Sequence, residues 1–288
     1  MRIRNVIFLL FILSFAAQDI VAQKIFERKR PAIFPLSGRY KLSGFHFAPG
    51  ATYILTRFSD KEEELFNSGD SIYNATFSPE GGLGMYLEGG WFKVFKYGSI
   101  IRYMDVSIAY KQLKGKESYV GELTRIGEDP PIQEFTGEGT FNEEFVTFNA
   151  NVNNVLQLGD RTFLQNSLGI NFDYLVSNSR SYSNEFGLNR QEFSQDPFLQ
   201  IHYKLGFGWK ISHKVIMIPS IETPILSVME WDDGRSDLQY FSSRYRPLIF
   251  SVRFILLRPA GKGMDCVPVK IDKKRRKSKE YKPDSYHP

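Results

Sequence analysis

The stretch FLQNSLGINFDYLV (163–176) changes polarity almost residue by residue. One side carries Leu164, Leu168, Ile170, Phe172, Tyr174 and Val176, and the other carries Gln165, Ser167, Gly169, Asn171 and Asp173. Successive side chains of an extended chain point to opposite faces, so this period of two predicts a β-strand with one apolar and one polar face. FLQIHYKLGFGWKI (198–211) repeats the pattern, with Leu199, Ile201, Tyr203, Leu205, Phe207, Trp209 and Ile211 set against Gln200, His202, Lys204, Gly206, Gly208 and Lys210. Eight such segments are found between residues 43 and 257, centred near 50, 88, 106, 150, 170, 204, 221 and 251.

The connections alternate in length. Short turns are predicted at KYGS (96–99), LGDR (158–161) and SHK (212–214), and long polar loops at about 59–77, 113–140, 178–196 and 230–243. Strict alternation gathers the tight turns at one end of the strands and the long loops at the other. That is the layout of outer-membrane barrels, and an even strand number returns both termini to the periplasmic end.

Alternation alone does not say which face points inward, and a soluble barrel of lipocalin type is the competing arrangement. The chemistry of the faces separates the two. The polar face is rich in small and amide residues, among them Gly44, Gly50, Gly84, Gly90, Ser107, Asn149, Asn151, Gly169, Asn171, Gly206 and Gly208, which suits a narrow filled interior. The apolar face is dominated by Leu, Ile, Phe and Tyr and its centre is free of charge, as lipid requires when Arg or Lys at the midplane costs about 2 to 4 kcal/mol. Trp91, Tyr97 and Trp209 fall near the tight turns and Tyr53, Tyr110 and Tyr174 toward the loops, forming two aromatic girdles. The expected fold is therefore all-β, an eight-stranded antiparallel up-and-down transmembrane β-barrel over 43–257.

Composition and charge place the rest. The chain begins MRIRNVIFLLFILSFAAQDIVAQ, with Arg2 and Arg4 ahead of a short apolar run and Ala16, Ala17 and Ala22 beyond it. That order is expected of a secretory signal peptide over residues 1–23, since a membrane-anchoring helix needs about 20 apolar residues. Residues 24–42 are then a periplasmic N-terminal segment. The single cysteine, Cys266, excludes an internal disulfide framework.

The net charge of +5 is concentrated at the C-terminus. Residues 258–288 hold ten Lys or Arg against four Asp or Glu, whereas 24–257 are slightly acidic. With almost no apolar content after Ile271, the tail reads as a disordered basic extension. In an exported chain it faces away from nucleic acid. Lys273, Lys274, Arg275, Arg276, Lys277 and Lys279 are its candidate contacts to peptidoglycan carboxylates, anionic lipid or an acidic protein surface, and such contacts weaken with salt.

By strand register Glu88, Asp105, Lys111, Asp173, His202, Lys204, Lys210, Glu222 and Arg253 point into the barrel. Eight strands enclose a lumen just wide enough for side chains, so these charges are expected to pair as a polar plug in preference to lining a pore. Barrel enzymes that act on lipid need a His with Ser and an acid near the rim. No His-x-Ser triplet occurs at His46, His202, His213 or His287, and His202 is expected to be buried near Asp173. GEGTFNEEF (137–145) clusters acids without calcium-loop spacing, and no phosphate loop or zinc-ligand set occurs. No catalytic residue, metal or cofactor is assigned.

The alternating body, the junction IVAQK (20–24) and the final strand RPLIFSVRFILLRP (246–259) together resemble the small outer-membrane β-barrels of the Bacteroidota, including PorT-like barrels. The final strand is similar to the closing strand read by barrel-assembly machinery, although here some thirty residues follow it. That resemblance implies an accessory or scaffold subunit of an envelope complex, in type IX secretion or gliding motility, with lipid and envelope proteins as partners. The alternative is a stand-alone structural or loop-presenting barrel of OmpA or OmpX type.

Overall fold

The computed structural model describes residues 33, 40–56, 61–95, 100–125, 133–183, 197–227 and 246–260. Its elements are β1 (Ser43–Ile54), β2 (Lys61–Asn67), β3 (Ser71–Val94), β4 (Tyr103–Arg125), β5 (Gln133–Gln157), β6 (Thr162–Tyr182), β7 (Phe198–Lys210), β8 (Val215–Ser227) and β9 (Pro247–Leu256). All pairings are antiparallel between neighbours, and the sheet closes through β1, which pairs with both β9 and β3. Eight strands form the ring, with β2 added beyond β1 along the upper part of β3. Closure leaves no sheet edge within the ring, the condition for β-structure to lie in lipid.

Polarity is inverted relative to a soluble barrel. Leu83, Met85 and Leu87 on β3, Val106 and Ile108 on β4, Phe148 and Val152 on β5, and Ile170 and Phe172 on β6 are all exposed outward. The buried alternate positions include Glu88, Asp105, Asn149, Asn151, Asn171 and Asp173. An outward apolar band around a polar interior, on a closed ring of antiparallel strands, defines a transmembrane β-barrel. Among the described residues no helix is long and apolar enough to cross a membrane.

Two of the four expected long loops are instead strand. Residues 59–77 contain β2 and the start of β3, and 113–140 are taken up by the ends of β4 and β5 around 126–132, which lie outside the described residues. With the end of β6, these segments form an arm that rises past the apolar band. The reason the arm reads as loop is a swap of faces. Below, the inward residues of β3 are Gly84, Tyr86 and Glu88. Above, they are Tyr73, Ala75 and Phe77, and the exposed residues are polar, as at Thr76 and Glu80. The register shift between Gly82 and Tyr86 makes the switch, because one extra residue in a strand moves every following side chain to the other face. Glycine is needed there. A Cβ at Gly81 would lie 2.2 Å from the Ile54 carbonyl, and one at Gly84 would lie 2.0 Å from that of Gln112.

At the other end the tight turns at 158–161 and 212–214 are present, and 96–99 falls outside the described residues. Here the interior is apolar. Phe92, Val94, Tyr103, Phe163, Ile216, Ile218, Ile255 and Leu257 form one buried cluster that also takes in Ile33 from the N-terminal segment. The Ile33 N–H donates to Gln157 Oε1 at 3.3 Å. Beyond the ring Tyr40 bridges Pro259, and Lys41 N–H donates to the Arg258 carbonyl at 2.9 Å, so the two terminal segments leave side by side at the tight-turn end.

Candidate functional site

Among the described residues the densest chemistry lies in the lumen. It is built by facing strands whose inward positions mix small residues, such as Gly84, Gly90, Ser107 and Gly206, with charged ones, so that long side chains meet across the axis. Glu88 on β3 is the hub. Arg253 Nη2 from β9 lies 2.6 Å from Glu88 Oε1, His46 Nε2 from β1 lies 2.9 Å from the same oxygen, and Tyr86 Oη donates to Glu88 Oε2 at 2.6 Å. Arg253 Nη1 donates to Asp105 Oδ2 on β4 at 3.0 Å. Asp105 in turn accepts from Asn151 at 2.9 Å and Asn153 at 2.6 Å, both on β5.

Toward the tight turns the chain of bonds continues through amides and hydroxyls. Gln165 Nε2 and Ser167 Oγ donate to Asn153 Oδ1 at 2.8 and 2.6 Å, and Tyr103 Oη donates to Gln165 Oε1 at 2.7 Å. Across the barrel, Lys204 on β7 joins Glu88 (3.5 Å) to Glu222 on β8 (2.6 Å). Glu222 Oε1 also accepts from Asn171 at 2.8 Å and lies 3.0 Å from His202 Nδ1. A separate pair, Lys111 with Asp173 at 2.6 Å, sits nearer the arm, where Asp173 also accepts from Thr147.

Eight of the nine residues expected to face inward are therefore members of this buried set, and each is at most 2% exposed: Glu88, Asp105, Lys111, Asp173, His202, Lys204, Glu222 and Arg253. Lys210 departs from it. It has the inward register but is half-exposed at the end of β7, beside the turn. His202 is also not Asp173's partner, because Lys111 takes that carboxylate while His202 turns to Glu222 and Gln200. Tyr86, which the sequence did not single out, and His46, weighed there only as a catalytic histidine, also join the set, and counting in twos from Gly84 and Gly44 puts both on the inward face.

Of the aromatic residues, Trp91 and Trp209 lie toward the tight-turn end and Tyr53, Tyr110 and Tyr174 toward the arm, with Trp209, Tyr110 and Tyr174 well exposed. Tyr97 and the tail residues Lys273, Lys274, Arg275, Arg276, Lys277 and Lys279 lie outside the described residues.

The ligand atoms of His46, Glu88 and Asp105 come within 4.8 Å of one another, a spacing that could suit a metal. The Arg253 guanidinium already bridges both carboxylates, so the protein supplies its own cation there. Charges removed from water are tolerated only when paired and hydrogen-bonded, and the carboxylates of Glu88, Asp105 and Asp173 meet that requirement. What such an arrangement does physically is fill and brace the barrel.

No family model and no curated protein matches the chain. Among solved structures it is similar to the outer membrane protein OprG from Pseudomonas aeruginosa, with 8% identity over 76% of this chain and 96% of that one and a TM-score of 0.39. It is also similar to Ail, the attachment invasion locus protein of Yersinia pestis, with 11% identity over 75% and 99% of the two chains and a TM-score of 0.32. The class is set by the chain's own ring of strands: a transmembrane β-barrel with a filled polar core.

Proposed function

We propose that the protein is a non-enzymatic outer-membrane barrel that stands alone and holds a sheet arm away from the membrane surface. The observation that carries this reading is the contrast between a core closed by paired charges and an arm extended well past the apolar band. Residues 71–81 of β3 alone add about 30 Å at the rise of an extended strand. The arm's outward face is polar, with Glu80, Lys116, Ser118, Glu122, Thr136 and Glu138 exposed. Lys116 Nζ lies 2.8 Å from Glu80 Oε2, and that hydrogen bond raises the ammonium's pKa above its ordinary value. Such a surface suits water and contact with surroundings. In this placement the tight turns and both terminal segments face the periplasm, and the basic tail reaches anionic envelope components.

An accessory role in secretion or motility machinery draws no support from the described geometry, which favours the stand-alone alternative. The experiment is purification of the tagged full chain in mild detergent, followed by mass measurement and planar-bilayer recording. A single polypeptide without large stable conductance is expected. A stoichiometric partner would establish the complex-subunit role, and openings of porin size would overturn the filled core.

A further inference from the structure

Two backbone ladders lapse at the same level of the wall. The β1–β9 ladder runs from Phe45–Leu256 to Phe47–Phe254, stops at Ala48 and Pro49, and resumes at Gly50–Ser251. The β7–β8 ladder is present at Gly206–Ser220 and at Trp209–Met217 but not at Phe207 and Gly208, which face Pro219 and Ile218. Proline has no N–H to give a neighbouring strand, and in a sheet it is normally confined to edges and bulges. Pro49 and Pro219 flank the same residue. Val252 of β9 pairs with Pro219 on one side and stands opposite Pro49 on the other. The β8–β9 hairpin is thus continuous within itself and weakly stitched along both outer seams. On the lipid side an apolar groove lined by Pro49, Leu205, Phe207, Pro219, Phe250 and Val252 runs over both interruptions.

Inside the barrel, side chains span the same seams. Arg253 faces Ala48, whose pairing partner on β3 is Glu88. Across that small residue its guanidinium reaches Glu88 and Asp105, so it ties β9 to β3 and β4 without using β1. On the opposite flank Glu222 of β8 is held by Lys204 of β7 and by Asn171 of β6. Below the first interruption, the Phe47 and Phe254 rings stack at 5.0 Å on the lipid side.

The geometry points to the β8–β9 hairpin as a separately opening panel of the wall, latched from within by Arg253 and Glu222 where its two proline-broken seams lack backbone pairing. Openings of this kind are local and are drawn from the least-stitched parts of a structure. Lipid offers no hydrogen bonds to a freed backbone, so the ion ties set how often the panel parts.

Hydrogen–deuterium exchange of the full chain in lipid nanodiscs, resolved by peptide, tests this. Peptides from β8 and β9 should exchange at least tenfold faster than those from the ring portions of β4 and β5. Pro49→Val and Pro219→Val each restore a donor and should slow that exchange several-fold, while Arg253→Met should speed it more in β8 and β9 than in the other ring strands. Equal protection around the ring would overturn the panel. So would folded proline variants that exchange no more slowly than the parent. A uniform rise in every strand with Arg253→Met would show that the arginine supports the whole barrel and is not a latch.

Discussion

Arg253 and Glu88 are 165 residues apart in sequence, and their side chains meet at 2.6 Å inside the barrel with both buried. Removing one partner of such a pair strands the other charge in a medium that solvates it poorly, at a cost of about 3 to 5 kcal/mol. Arg253→Met should therefore lower unfolding stability by about that amount, read by urea titration in detergent micelles. Glu88→Gln combined with Arg253→Met should cost less than the two single changes added together, because neither then leaves its partner's charge alone. Strict additivity in that cycle would mean the pair is not coupled.

Glycines on the inward face are fitted to what lies opposite. A Cβ at Gly208 would sit 2.0 Å from the Phe163 ring, which is fully buried. At Gly50 it would sit 2.2 Å from the Phe250 carbonyl in the closing seam. Gly208→Ala and Gly50→Ala should each destabilise the barrel by about 1 to 3 kcal/mol, the range for overpacking a filled core. Gly89 points outward, and a Cβ there would meet no atom within 4 Å, so Gly89→Ala should leave the same unfolding midpoint nearly unchanged.

The tail deletion separates electrostatic contact from passive extension. Removing residues 273–282 takes away the densest run of Lys and Arg in the chain. If the tail binds anionic envelope material, the full chain should co-sediment with peptidoglycan at low salt and release as ionic strength rises, while the deletion should not co-sediment at either. Equal behaviour of both chains would remove the contact.

The ring is legible in the sequence because lipid outside and packed polar groups inside force opposite chemistries onto alternate residues. The centre of each of the eight alternating segments lies within a ring strand, and FLQNSLGINFDYLV falls within β6. The arm is not legible for the same reason. Past the register shift at 82–86, Tyr73, Ala75 and Phe77 turn inward and polar residues turn out, so the apolar-outward rule that identifies a membrane strand no longer holds. Inward register assigns Glu88, Asp105 and Arg253 their face, but not their partners. Which charges meet across a lumen depends on strand stagger, and alternation alone carries no stagger. That is why it points Asp173 toward His202 when Lys111 takes the carboxylate.

The height at which polarity swaps is itself open to measurement. Ile108 and Val120 are both exposed on the outward face of β4, at 55% and 46%. They differ in level: Ile108 pairs with Gly89 and Phe148 inside the apolar band, whereas Val120 pairs with Thr76 and Thr136 on the arm. An arginine at the bilayer midplane costs about 2 to 4 kcal/mol, and one on a solvated surface within about 0.5 kcal/mol of nothing. Ile108→Arg should therefore lose stability in lipid vesicles by the larger figure, and Val120→Arg should be close to neutral. Because the two sites share a strand, a face and a degree of exposure, only the surrounding medium distinguishes them. Equal costs would place the arm and the band in one solvent, and the membrane boundary drawn at the glycine-rich shift would be wrong.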